Sequence, residues 1–394
     1  MRIYPRRLSP QLEREIESSR IVVLTGMRQV GKTTLMREVF QKIKSPHKIF
    51  LDLENPLNQK IFEEENFDNI LSNLEEMGFS LGKKSFVFLD EVQVAPKVVK
   101  SIKYLYDHYR IKFFLTGSSS FYLKNLFPES LAGRKTIYEL YPLDFREFLV
   151  FKGKKKRKFE TFPLMAKNKN RVSCEIYKKL FDEYLEYGGF PAVVLEKNRA
   201  RKRQFIEDVF TSYFEKDIKS LADFKESGKL RDLILLLTNR VGSKIEISKI
   251  SSELGISRET VYSYLNFLEK TYFIFVISPF SSGVNGEVRG AKKVYFCDAG
   301  LLNYLSRVPE GILFENAVYQ NIKKYGKINY YERYKGPEID FIVDKKIAFE
   351  ARVKGIPSDL KKLENISKDL RVKDYYLVVK DYSEIPKLIL SQDL

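Results

Sequence analysis

VVLTGMRQVGKTTLM, residues 22–36, is an apolar run that stops at a glycine, crosses a short loop with another glycine and a lysine, and resumes as helix formers. The preceding "RIVVLTG" is a run of β-branched and aliphatic residues with no polar alternation, which predicts a parallel strand buried on both faces. "KTTLMREVFQKI" then places Leu35, Val39 and Ile43 at helical spacing. Between them Gly26-Met27-Arg28-Gln29-Val30-Gly31-Lys32-Thr33 fits G-x-x-x-x-G-K-[ST].

Each fixed position in that pattern has a physical reason. Gly26 and Gly31 permit backbone angles and close approaches that a Cβ forbids, so successive N–H groups and the helix N-terminus converge on an anion. Residues Gly26, Met27, Arg28, Gln29, Val30, Gly31, Lys32, Thr33 and Thr34 form the expected phosphate cradle. Lys32 is placed to neutralise the β and γ phosphates of ATP and Thr33 to hold Mg2+.

The chain has 394 residues, 44% hydrophobic and 31% charged, enough for two or three globular domains. Its 69 Lys and Arg against 52 Asp and Glu give a formal charge of +17. That balance favours polyanionic partners such as DNA or other nucleic acid; a solvated lysine-rich surface is the alternative. Only Cys174 and Cys297 are present, too far apart for a zinc ligand pair and too few for a disulfide framework. No apolar run reaches the ~18 residues of a membrane span, and "MRIYPRRL" has charge without an apolar core. The expectation is a cytoplasmic protein with no membrane association. With His47 and His108 as the only histidines, imidazole catalysis and histidine metal sites are disfavoured.

Strand-like segments alternate with helical ones after the loop: "HKIFLDLEN", "SFVFLDEVQ", "IKFFLTGSSS" and "KTIYEL", with stretches such as "KVVKSIKYLYDHY" between. This is the pattern of an α/β core, a parallel sheet covered on both faces, with its ligand beyond the carboxyl ends of the strands. "FVFLDEVQ" delivers Asp90 and Glu91 to that edge, Asp90 to hold magnesium and Glu91 to act as the general base toward water. An acidic pair can also be plain turn chemistry. Ser118 in "LTGSSS" approaches the γ phosphate if strand four lies between strands one and three, or else it is part of a Gly-Ser turn. Arg134 in "LAGRK" could supply positive charge to the transition state, within one subunit or across an interface of a homo-oligomer.

The ordered motifs "GMRQVGKTTL", "FLDEVQ", "LTGSSS", "LAGR", "YPLDFREFL" and "YGGFP" resemble those of AAA-type prokaryotic ATPases whose carboxy-terminal half carries a domain of unknown function. The resemblance implies a P-loop ATPase core, a helical lid, a winged helix and a nuclease-like α/β terminal domain. Met27 stands where proline or a small residue is expected, at a position whose side chain is not a phosphate ligand.

The expected division is a core over 1–148, a basic insertion and helical lid over 149–222, a winged helix-turn-helix over 223–281 and a nuclease-like domain over 282–394. Six of the seven residues from Lys152 to Lys158 are basic, without apolar periodicity, which reads as an exposed loop that either touches phosphates or is merely solvated. "EIYKKLFDEYLEYGGFP" and "ARKRQFIEDVFTSYFEKDI" read as helices of the lid. In "KIEISKISSELGISRETVYSYLNFLEK", Ile250, Leu254, Ile256, Val261 and Leu265 fall at helix-turn-helix spacing, with Gly255 at the turn and Ser257 as cap. The second helix would present Arg258, Glu259, Tyr262, Ser263 and Asn266 to a DNA groove or to a protein partner. Its single arginine is a thin basic footprint.

At the carboxyl end, "ILFENAVYQNIKKYG" carries Glu315 on a helix, and Asp340 and Glu350 follow on neighbouring strands. An acid on a helix, an aspartate on one strand and E-x-K on the next resemble the PD-(D/E)XK nuclease site, which implies magnesium-binding carboxylates and a lysine that steadies water. Arg352 occupies the lysine position and cannot readily lose a proton, so a degenerate site is expected; Lys354 is a possible substitute two residues along. Ordinary strand-end and surface charges are the alternative. Two functions of different class follow. One is a Mg-dependent ATPase coupled to nucleic-acid or protein remodelling, and the other is a DNA-binding regulator in which nucleotide is a structural ligand.

Overall fold

The computed structural model describes residues 3–95, 97–117, 133–218, 227–281, 287, 290–333 and 336–394. The chain forms two compact units: Met1–Tyr141 with Ser212–Asp223 and Lys270–Tyr272, and Pro142–Thr211 with Phe224–Glu269 and Phe273–Leu394.

The first unit is built on five strands, β1 (Ile21–Thr25), β2 (Lys48–Asp52), β3 (Phe86–Asp90), β4 (Lys112–Gly117) and β5 (Lys135–Glu139), in the order β2-β3-β4-β1-β5 and all parallel. Every residue of β1, β3 and β4 is buried, as expected of strands covered on both faces. On one face the helix Lys32–Lys42 drops Phe40 onto a row of sheet phenylalanines, with ring centroids 5.3 Å from Phe88 and 5.9 Å from Phe50, and Phe88 stacked 4.5 Å from Phe114. On the other, Ile70, Leu74, Ile102 and Leu105 cover Val23, Leu89 and Leu115. These contacts fix the axis of the helix that begins at Lys32. With β4 between β1 and β3, the phosphate loop and the Asp90 end of β3 stand two strand spacings apart, about 10 Å.

The second unit carries a mixed seven-stranded sheet: β6 (Ile274–Pro279), β7 (Lys293–Phe296), β8 (Ile328–Glu332), β9 (Glu338–Val343), β10 (Ile347–Arg352), β11 (Asp374–Val379) and β12 (Leu388–Leu390), in the order β12-β11-β10-β9-β8-β6-β7. β8, β9 and β10 form an antiparallel meander, and the helix Pro357–Asp369 crosses over to bring β11 parallel to β10.

Two expected boundaries are corrected. The division at 281/282 falls between β6 and β7, which are antiparallel neighbours. β6, the strand expected to complete a winged helix, pairs with β7 over Ile274–Ile277 and also with β8 through Ser278↔Asn329, reinforced by the Asn329 amide donating to Ser278 O at 3.2 Å, so it joins the terminal sheet as well. The helices expected as a lid over the nucleotide belong mostly to the second unit. Phe145, Phe148, Phe181 and Tyr184 pack edge to face there, and Gly189 N–H donates to buried Asp298 at 2.6 Å. Only the turn from Ser212 onward returns to the first unit.

The helix-turn-helix forms where its spacing predicts: helices Ile247–Leu254 and Arg258–Lys270, Gly255 at φ 64 between them, and Ser257 Oγ accepting from Thr260 N at 3.0 Å. The 152–158 stretch is a mostly exposed loop, although Lys152 pairs with Glu183 at 2.7 Å and Lys156 with Asp393 at 2.8 Å. Among the described residues no helix is long and apolar enough to cross a membrane.

Candidate active site

Gly26 leaves β1 at φ 154, where a Cβ would lie 2.1 Å from Leu140 O, so no other residue fits between β1 and the chain leaving β5. Gly31 caps the following helix at φ 95. Between them Met27 and Val30 are buried anchors, and Gln29 is held at φ 61. The Lys32 amine, 5% exposed, folds back onto the loop and donates to Gly26 O and Met27 O, each at 3.0 Å. Burial pushes its pKa down, while the nearby Glu91 and Asp217 carboxylates favour the charged form.

Asp90 is 3% exposed at the end of β3. Burial pushes its pKa up, and hydrogen bonds from Thr116 and Thr33 oppose that shift. Thr116, the penultimate residue of β4, donates its hydroxyl to Asp90 Oδ1 and accepts Glu91 N–H at 3.0 Å. Glu91 turns out of the strand at φ 56, and its carboxylate accepts from the Gln93 amide. Thr33 and Asp90 together offer hard oxygen donors, and the uncompensated burial of the Asp90 carboxylate is what a cation there would relieve, so this pair fits magnesium.

Lys32, Thr33, Asp90 and Glu91 therefore meet at one sheet edge. Arg134 does not join them. It precedes β5 at the amino end of the sheet, its carbonyl accepting from Ile21 N, and its side chain pairs with Asp107 at 3.2 Å. One strand length, about 16 Å, separates that end from the phosphate loop of the same chain, so the within-subunit option is lost. Ser118 lies outside the described residues. The sequence reading missed Thr116, although the same "LTGS" that drew attention to Ser118 contains it, and it missed Asp217, whose Oδ2 accepts from Arg28 Nε at 2.9 Å. Nothing local in "YFEKDIKS" marks Asp217.

In the second unit the helix Glu310–Ile322, β9 and β10 bring Glu315, Asp340, Glu350 and Arg352 together. Arg352 Nη1 reaches Asp340 Oδ2 at 3.3 Å and its Nη2 donates to Glu350 Oε1. Asp340 Oδ2 also accepts Ala351 N–H at 2.8 Å, and Glu315 Oε1 accepts the Tyr295 hydroxyl at 2.8 Å. Burial, then the charge of Asp340, pushes both Glu315 and Glu350 up to about 8. Among the described residues no group of three or more His, Cys, Asp or Glu side chains is arranged to hold a metal ion. Lys354 is exposed beyond the end of β10, which stops at Arg352, so it does not share a strand face with Glu350. Arg258, Tyr262 and Asn266 lie on the exposed face of their helix, Tyr262 at 60% exposure.

Residues 18–149 match the family model of an AAA domain. That match covers the sheet edge at which Lys32, Thr33, Asp90 and Glu91 meet. Residues 178–311 match a second model, described as a domain of unknown function (DUF8612). The chain is 26% identical over 401 residues to an uncharacterized protein of Methanocaldococcus jannaschii, covering 96% of this chain and 85% of the relative. It is 27% identical over 382 residues to an uncharacterized protein of Haemophilus influenzae, covering 90% and 87%. Among solved structures it is similar to the Aeropyrum pernix ORC1 protein in complex with DNA, at 12% identity and a TM-score of 0.34 over 78% of this chain and 94% of that one. The Aeropyrum pernix ORC2 protein in its ADPNP-ADP complexes gives 11% identity and 0.34 over 82% and 96%.

Proposed function

We propose that the first unit binds ATP with Mg2+ and hydrolyses it, and that turnover drives remodelling of nucleic acid or protein. The observation that carries this reading is the convergence of Lys32, Thr33, Asp90, Glu91 and Thr116 at the carboxyl edge of one parallel sheet. In this reading Lys32 exchanges two loop carbonyls for the β and γ phosphates, and its short tether from the helix N-terminus limits where they sit. Thr33 and Asp90 hold the cation, which when bound neutralises charge building on the phosphates. Glu91, aimed by Thr116 and Gln93, accepts a proton from the attacking water. A protein that only bound nucleotide would have no use for such a base, which is why hydrolysis is preferred over the DNA-binding regulator.

The test is ATP turnover with magnesium, with and without DNA. Lys32→Ala should weaken nucleotide binding, whereas Glu91→Gln should bind ATP and turn over at least ~100-fold more slowly. Glu91→Gln at the parent rate would remove the base assignment and favour the regulator.

For the second unit we infer a nuclease-like platform that binds nucleic acid and cleaves it weakly or not at all. Two observations support this: the order helix, β8, β9, β10, helix, β11, and the Arg352 guanidinium seated on the very carboxylates a metal would need. Arg258, Tyr262 and Asn266 are the contacts proposed for the helix-turn-helix, on an exposed face.

A further inference from the structure

The phosphate loop is tied at two consecutive side chains to a segment almost two hundred residues away. Arg28 Nε donates to Asp217 Oδ2 at 2.9 Å, and Gln29 Nε2 donates to Ser212 Oγ at 3.2 Å. Ser212 closes the helix Arg199–Ser212, and Asp217 lies in the π-helical turn Tyr213–Ile218 that follows. Both belong to the same compact unit as the loop. The Asp217 side chain is 2% exposed and that of Arg28 13%, so the pair is shielded from water and screened little by salt. Glu54, just past β2, adds a weaker link, 4.0 Å from Arg28 and 3.6 Å from Lys216 of the same turn.

The tied residues include the strained one. Gln29 sits at φ 61, a conformation a side-chain-bearing residue keeps only where its surroundings over-determine it. Nothing in the loop's own sequence demands it. The anchors on Arg28 and Gln29 come from the turn, and they hold the arc that must point its N–H groups at the phosphates.

Resting on the ATP-binding reading above, we propose that Asp217 is a positioning residue of the nucleotide site: through Arg28 it holds the Met27–Val30 arc in its phosphate-receptive form, with Ser212 securing Gln29 beside it. The turn thereby makes the receptive loop conditional on a segment outside the AAA-domain match.

Charge and positioning predict opposite signs, which makes the idea testable. Asp217→Asn removes a negative charge near the phosphates and frees a cation, so direct charge repulsion alone predicts tighter nucleotide binding, more so at low salt. Positioning predicts the reverse. The support Asp217 gives to the Lys32 charge also acts the other way, and the neutral Ser212→Ala, which leaves that charge in place, separates it from positioning. The measurement is titration of the full chain with a fluorescent ADP and a non-hydrolysable ATP analogue at low and moderate salt, with thermal melting of the nucleotide-free protein alongside. Expected for Asp217→Asn is at least a tenfold weaker Kd, little changed by salt, with Asp217→Glu recovering most of the loss. Ser212→Ala, neutral and conservative, should weaken binding a few-fold with an unchanged melt, and it carries the test should Asp217→Asn fail to fold. Tighter or unchanged binding in Asp217→Asn, or unchanged binding in Ser212→Ala where the first variant is unfolded, overturns the proposal. Failure of the unmodified chain to bind either nucleotide would instead overturn the ATP-binding reading itself.

Discussion

The Thr116 hydroxyl donates to the Asp90 carboxylate across the gap between β4 and β3, and the same oxygen accepts the main-chain N–H of Glu91 at 3.0 Å. One side chain thereby sets both acids, and it holds Glu91 at φ 56, a left-handed conformation that costs a non-glycine residue about 1 kcal/mol or more. That turn lifts the Glu91 carboxylate out of the strand's alternation and frees it to face the loop.

Thr116→Val keeps the shape of the side chain and removes the shared hydroxyl. Asp90 loses a donor, Glu91 N–H loses its acceptor, and the carboxylate of Glu91 is released from its orientation. Turnover should fall roughly 10- to 100-fold while ADP affinity changes by less than about threefold, because the lost interaction serves the transition state more than the bound ground state. Steady-state ATP hydrolysis beside a fluorescent ADP titration separates the two. Equal losses in both would mean that Thr116 supports the fold of the site and not the aim of the base.

The sheet was legible because its information is local. Five strand-like runs, four of them strongly apolar, identify parallel strands, and β1 to β5 form where those runs predict. Lys32, Thr33, Asp90 and Glu91 were legible for the same reason, each lying at the carboxyl end of a strand or the start of a helix. Arg134 was not, since "LAGRK" does not say whether its arginine lies before or after the strand it introduces, and here it lies before. Asp217 and the pairing of β6 with β8 depend on contacts between distant segments, and neither leaves a periodicity to read. The boundary expected at 281/282 falls inside a sheet because β6 pairs with β7 over Ile274–Ile277 and with β8 at Ser278 and Pro279.

Nucleic-acid binding, if the +17 charge underlies it, should be phosphate-driven. DNA affinity should fall at least tenfold between about 50 and 200 mM salt, and random-sequence competitor should displace it. Fluorescence anisotropy across a salt series gives the slope. An affinity insensitive to salt would mean that base contacts or protein surfaces dominate, and no binding at the low-salt end would leave the helix-turn-helix face as a protein contact.

The carboxylate cluster makes a pH prediction. Glu315 and Glu350 are pushed up to about 8 in the folded chain, whereas an unfolded glutamate titrates near about 4.3. Between those values the folded state holds protons that the unfolded state has released. The associated stabilisation is complete below the unfolded value and is lost as pH rises through about 8. Melting temperature should therefore decline from about pH 5 to about pH 8, and Glu315→Gln, which keeps the Tyr295 hydrogen bond in neutral form, should flatten part of the decline. Parallel profiles for the two proteins would show that Glu315 is ionised throughout.

Arg352 lies across the carboxylate cluster. Its guanidinium bridges Asp340 and Glu350 where the resemblance to nucleases would place a cation and a lysine, and it carries a fixed charge that neither dissociates nor donates its proton to water. Plasmid and single-stranded DNA incubated with the protein in magnesium or manganese should remain essentially uncut. Arg352→Ala should cost stability, because buried Asp340 loses its counter-charge and Glu350 a hydrogen-bond donor; with the arginine itself 37% exposed, roughly 1–2 kcal/mol is the expected scale. Its melting temperature should then recover as the pH is lowered and Asp340 protonates, a response absent from a variant damaged by packing alone. Robust cutting by the unmodified protein that Asp340→Ala abolishes would mean instead that the guanidinium moves aside for a metal and that the site is live.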